Sequence, residues 1–142
     1  MRGTDDRSGP TGAPAPSFDD LIPGLRVGPL TLAVSRAANE RYWSSAGVDH
    51  PVLRAGALYP PIAANLTVLA VQSVLDLPLL QTAQQIVCHQ RADADVELTV
   101  TGRVTERYEK RGRDYAVVTA EVTLPDGTPL WTSVATFSGA GS

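Results

Sequence analysis

Ile62-Ala-Ala-Asn-Leu-Thr-Val-Leu-Ala-Val-Gln-Ser-Val-Leu75 is the stretch on which the fold turns. It is opened by Pro60-Pro61, and proline is tolerated in a helix's first turn because the N–H it lacks would have no helical partner there. The apolar residues that follow cover nearly the whole circumference of a helix. A bilayer crossing takes about 20 such residues, and this run is shorter, so the helix is expected to be enclosed by protein on all sides. Asp76-Leu-Pro78 ends it.

Downstream the pattern changes to strands. The first is expected from about Thr82 to Gln90. The second runs from Asp95 to Tyr108, with Val96, Leu98, Val100, Gly102 and Val104 in alternation. Lys110-Arg-Gly112 turns the chain into a third, Asp114 to Leu124, in which Ala116, Val118, Ala120 and Val122 share a face. Asp126-Gly127 is a strong hairpin signal and leads into Leu130 to Phe137, where Trp131, Ser133, Ala135 and Phe137 point one way. Upstream, Leu30, Leu32 and Val34 alternate in a strand from Pro29 to Val34. Ser35 is placed to cap a helix over Arg36 to Ala46, which stops at Gly47. Tyr42 and Trp43 near its end are read as anchors to the sheet. Between Gly47 and Pro61, prolines and glycines predict loop, and this loop holds the densest cluster of chemically able side chains, Asp49, His50, Arg54 and Tyr59.

One apolar helix followed by a meander has a simple packing solution, an α+β domain in which an antiparallel sheet wraps around a long central helix. This is the hotdog arrangement. A bare sheet edge would remain, so a dimer formed by edge-to-edge pairing is expected. The domain is expected over residues 17–139. Residues 1–16, rich in Pro, Gly and polar residues, cannot offset their ordering entropy and are expected to form a disordered tail.

The 142 residues, 43% of them hydrophobic, suit one core. The net charge of −3 leaves no broad basic surface, so nucleic acid is not expected as a partner. No apolar stretch of signal-peptide or membrane length stands at the N-terminus, and Cys88, the single cysteine, cannot form an internal disulfide; a cytoplasmic protein with no membrane partner is expected. Lying in Ile86-Val87-Cys88, that cysteine is read as a buried packing residue. No Gly-rich nucleotide loop, Gly-x-Ser-x-Gly elbow or metal-ligand spacing is present, and only His50 and His89 are histidines, so no metal and no cofactor are expected. Arg103, Arg107, Lys110, Arg111 and Arg113 alternate with Glu106, Glu109 and Asp114, which reads as a solvated hairpin.

The order of segments over residues 18–138 resembles the MaoC-like hydratase and dehydratase family of hotdog proteins. Phe18-Asp-Asp-Leu-Ile-Pro-Gly-Leu-Arg-Val-Gly28 looks like its opening segment, Tyr42-Trp-Ser-Ser-Ala-Gly47 like the helix end before its active-site loop, Pro61-Ile-Ala-Ala-Asn-Leu66 like the start of its central helix, and Asp126-Gly127 like its last hairpin. The resemblance implies an acyl-thioester substrate carried on coenzyme A or acyl carrier protein. It also implies an Asp and a His, in a Gly-Asp-x-Asn-Pro-x-His pattern, that activate water for addition to or removal from a 2-enoyl thioester, with a backbone N–H at the central helix start polarising the carbonyl. In this chain the loop reads Gly47-Val-Asp-His-Pro-Val-Leu53. Registered on Gly47 and Pro51, Val48 stands where the family has Asp and Leu53 where it has His; neither side chain can handle a proton. Ala64-Asn65 replaces the family's His-Gly step.

Three readings follow. In the first, the chain is a catalytically degenerate subunit that binds an acyl chain or pairs with an active hotdog subunit, as a homodimer or heterodimer. In the second, it is an active hydratase or dehydratase in which Asp49 and His50 act from shifted positions, both being side chains suited to acid–base work near neutral pH. Against this stand structural roles: a turn-forming Asp49 before Pro51 and a His50 hydrogen-bonded to backbone. In the third, it is a thioesterase, but residues 62–75 lack the carboxylate such enzymes place on or facing the central helix. Tyr59 is a candidate for lining the pocket mouth or packing beneath the loop, Arg54 with the hairpin cations for meeting the phosphates of a coenzyme A or carrier-protein thioester, and Asn65 for bonding a carbonyl or capping the loop backbone.

Overall fold

Two tight turns set the sheet. Arg111 and Gly112 both take positive φ, 54° and 77°, the geometry of a two-residue hairpin loop whose twist matches the strands it joins. At the second turn Asp126 Oδ1 accepts hydrogen bonds from the Thr128 amide (2.9 Å) and hydroxyl (2.7 Å). These turns join β3 (Leu98–Lys110), β4 (Arg113–Thr123) and β5 (Pro129–Gly139) into a meander. The computed structural model describes residues 15–139, and the tail expected over 1–16 lies outside the described residues except for its last two.

Two outer strands complete the sheet. β1 (Arg26–Leu32) pairs with β3, and β2 (Leu79–Cys88) pairs with β5, all antiparallel, in the order β1-β3-β4-β5-β2. Between β1 and β2 the chain crosses the concave face through α1 (Arg36–Ser45), the one-turn α2 (Pro51–Arg54) and α3 (Ile62–Gln72). The register lines Val104 with Val118, Val118 with Ala135 and Val122 with Trp131. Apart from Val96, which is 39% exposed and precedes β3, and the half-buried Gly102, the alternating residues anticipated for β3, β4 and β5 form one buried face against α3, which touches all five strands. The expected hotdog arrangement is what the chain adopts.

β3 and β4 come close where small residues face each other. Gly102 faces Ala120, and a Cβ there would stand 2.4 Å from the Thr119 carbonyl oxygen. Beneath the helix Thr67 Oγ1 donates to Ala63 O (2.8 Å) and lies 3.2 Å from Ser133 Oγ, so a fully buried hydroxyl pair is satisfied locally.

Four expectations are corrected. The central helix is not enclosed by its own chain: Ile62, Leu66, Ala70 and Val71 are buried, while Leu69 is 46% exposed, because one sheet reaches only one side of a helix. Cys88 is exposed, since it ends a strand at the edge of the sheet formed by the described residues. The second strand starts at Leu98 rather than Asp95, whose positive φ of 66° and amide bond to Val34 O (2.8 Å) hold it in a turn. Arg107 is not solvated: its guanidinium lies 4.8 Å from the Phe18 ring centroid and donates to Phe18 O (3.1 Å) and Leu21 O (2.9 Å), fastening the turn Phe18–Asp20 to the sheet.

Candidate functional site

The segment between α1 and α3 is built from local hydrogen bonds. Ser35 Oγ accepts from the Ala38 amide (3.1 Å) and starts α1; Gly47, at φ 74°, closes it. The expected loop over 47–61 contains α2. Pro51 occupies the first turn of α2, and His50 Nδ1 accepts from the Val52 amide at 3.2 Å. A ring nitrogen that accepts has no proton of its own, so in the neutral ring Nε2 carries it. The Asp49 carboxylate pairs with Arg54 Nε at 2.8 Å, both side chains largely exposed. Arg36 Nη2 donates to Arg54 O (2.6 Å), tying α2 to α1.

Asn39 was not singled out by the sequence reading, and it organises this region. It is the one buried residue of α1. Its Nδ2 donates to Ala57 O and its Oδ1 accepts from the Tyr59 amide, each at 2.9 Å. The available signal was an asparagine inside a helix, between Ala38 and Glu40, where its intrinsic propensity is poor. Tyr42, expected to anchor α1, is 40% exposed and instead receives a hydrogen bond from Asn65 Nδ2 through its hydroxyl. Tyr59 is half-buried against the core. Asp49, His50 and Arg54 thus share one turn, Asn65 sits with Tyr42, and Tyr59 contributes its backbone to the Asn39 clamp.

The start of α3 is also committed. The amides of Ile62, Ala63 and Ala64 donate to Tyr59 O (2.9 Å), Pro60 O (2.9 Å) and Pro61 O (3.2 Å). The short connection from α2 therefore winds straight into the helix and uses amides that could otherwise face a ligand.

A cavity of ≈ 390 Å³ opens between α2 and the end of β2. Leu58 N–H bonds Ala92 O and Ala94 N–H bonds Gly56 O, both at 2.8 Å, which stitches the two walls together. Val52, Leu53, Leu58, Ala92, Cys88 and Trp131 line it. Leu53, at the position registered on the family's His, is 7% exposed and forms part of this apolar wall. Among the described residues no three His, Cys, Asp or Glu side chains gather as a metal site.

No family model matches the chain, and no curated protein matches it. Solved structures do. The C-terminally truncated HadBC (3R-hydroxyacyl-ACP dehydratase) complex from Mycobacterium tuberculosis aligns at 22% identity and a TM-score of 0.63, over 83% of this chain and 97% of that one. The (R)-hydratase from A. caviae involved in PHA biosynthesis aligns at 14% identity and a TM-score of 0.66, over 84% and 97%. This chain has the hotdog fold. The MaoC-like dehydratase from Rhodospirillum rubrum aligns at 16% identity and a TM-score of 0.63, over 86% and 94%. The hotdog chain thus shares its architecture with these hydratases and dehydratases along nearly their whole length.

Proposed function

We propose that this hotdog chain binds an acyl thioester, on coenzyme A or acyl carrier protein, without turning it over, and works as the non-catalytic member of a hotdog pair. One observation carries the proposal. At the position registered on the family's His, Leu53 is buried in the wall of an apolar cavity, so the group that would move a proton is replaced by one that excludes water. The engaged amides at the start of α3 add support, because a thioester carbonyl would have to displace an intrahelical bond to be polarised. Fold likeness alone does not confer chemistry.

Pairing is supported by the bare edge. Leu80 and Val87 of β2 are 51% and 49% exposed. The Gln84 Nε2 on the same strand is buried with no hydrogen-bond partner among the described residues. A second copy or a dyad-bearing relative would cover this face. No helix of the described residues is long and apolar enough to cross a membrane, and a cytoplasmic setting is part of the proposal.

The test is hydration of crotonyl- and longer 2-enoyl-coenzyme A by the purified protein, with thioester binding followed in parallel by equilibrium dialysis. Binding without hydration is expected, with activity appearing only when a catalytic hotdog partner is added. A second reading, an active hydratase, rests on Asp49 and His50 sharing the turn that opens α2. Hydration by the isolated protein that is lost in both Asp49→Asn and His50→Ala would establish it and overturn the first.

A further inference from the structure

A thioester-binding chain needs a place for the alkyl part of its ligand, and the cavities differ in their fitness for it. The hollow on the outer sheet face between Arg26, Arg103 and Glu121 is lined by charged and hydroxyl side chains. The cleft of ≈ 140 Å³ on the other side of Leu53, bounded by Arg36, Glu40, Trp43 and Arg54, is small and equally charged. The ≈ 390 Å³ cavity between α2 and the end of β2 is of a different kind. Its deep residues are Leu53, Leu58, Ala92 and Trp131, between 2% and 7% exposed, and its polar members, His89, Gln90 and Arg91, are consecutive and all exposed. An apolar floor with polar groups confined to one rim suits a molecule with an alkyl tail and a charged head.

Resting on the function proposed above, we infer that this cavity is the acyl-chain subsite: the alkyl tail lies against Leu53, Leu58 and Trp131, and the thioester and its carrier stay outside the 89–91 rim. Cross-strand register sets Cys88 opposite Trp131, and Cys88 lines the cavity while remaining exposed. The replacement of a polar side chain by Leu53 then has a direct consequence. It removes the one group that would have left a buried charge or unpaired nitrogen against an alkyl chain.

Cys88 is the only cysteine of the chain, so its alkylation by N-ethylmaleimide reports on the cavity with no interfering thiol. Thioether ligands, which cannot acylate it, serve as probes. S-decyl-coenzyme A is expected to slow Cys88 alkylation about tenfold or more at saturation, and S-methyl-coenzyme A to leave it within about twofold of the free protein. Val52, 40% exposed on the lining, can be changed without emptying the core, and Val52→Asn is expected to weaken protection by S-decyl-coenzyme A with its far-ultraviolet spectrum unchanged. Equilibrium dialysis of the same ligand separates the failures. Binding with no protection of Cys88 would overturn the location and leave thioester binding standing. No binding would overturn both. Alkylation that is slow without ligand and quickens on dilution would show that a second copy covers the cavity, and would also overturn the assignment.

Discussion

The meander β3–β4–β5 and the segment from α1 to α2 are held in place by different physics. The concave face of the meander is apolar and fully buried, with Val100, Val104, Val118, Val122 and Phe137 all at 0% exposure. In α1 a single residue, Asn39, is buried, and the segment is fastened by caps, one exposed ion pair and two hydrogen bonds from that asparagine. Burial is non-directional and adds up over many residues; a polar clamp is directional and fails at once when one partner goes. The sheet accordingly draws its stability from many residues acting together, and the segment that carries Asp49, His50 and Leu53 depends on a few groups.

Each prediction breaks or sharpens that contrast. The largest effect is expected in the scaffold: Phe137→Ala should cost about 3–5 kcal/mol, lowering the whole denaturation midpoint in a single transition, measured by urea titration. Asn39→Ala should cost less, about 1–3 kcal/mol for leaving Ala57 O and the Tyr59 amide unpaired. Its signature is local, with amide exchange at Leu58 and Tyr59 accelerating far more than exchange in β4; equal acceleration in both would erase the distinction between the regions. The smallest effect is expected at the β4–β5 turn. The Thr128 hydroxyl, and then its amide, hydrogen-bond Asp126 and hold its carboxyl below the ordinary 3.8. The folded-state pKa is the lower one, so this contribution is complete above the unfolded value and is lost as pH falls through the folded one. Asp126→Asn should therefore lower Tm slightly at neutral pH, with the difference from the parent protein shrinking as pH falls below about 4.

The sheet was legible because its determinants are periodic. Ala116, Val118, Ala120 and Val122 alternate without interruption, and Asp126-Gly127 and Arg111-Gly112 are turn chemistry with few other uses. The candidate site was legible only in part. Its location after Gly47 and its lack of Asp and His at positions 48 and 53 were open to inspection, but α2 was hidden by Pro51, which reads as a breaker and here opens a turn. Asn39 was missed because a polar residue in a helix gives no sign of which carbonyl and amide it will meet 18 and 20 residues on. Cys88 and Leu69 were misplaced for a common reason: apolar character tells that a residue wants cover, and not whether its own chain supplies it.

β2 carries a last consequence. Leu79-Leu-Gln-Thr-Ala-Gln-Gln-Ile-Val-Cys88 holds no charge, no proline and no glycine, the residues with which sheet proteins protect an open edge. Its composition is that of segments that stack in register into cross-β fibrils. The same ten residues that would make the proposed pair are thus the ones that would template an insoluble one, and the balance between the two outcomes is set by concentration.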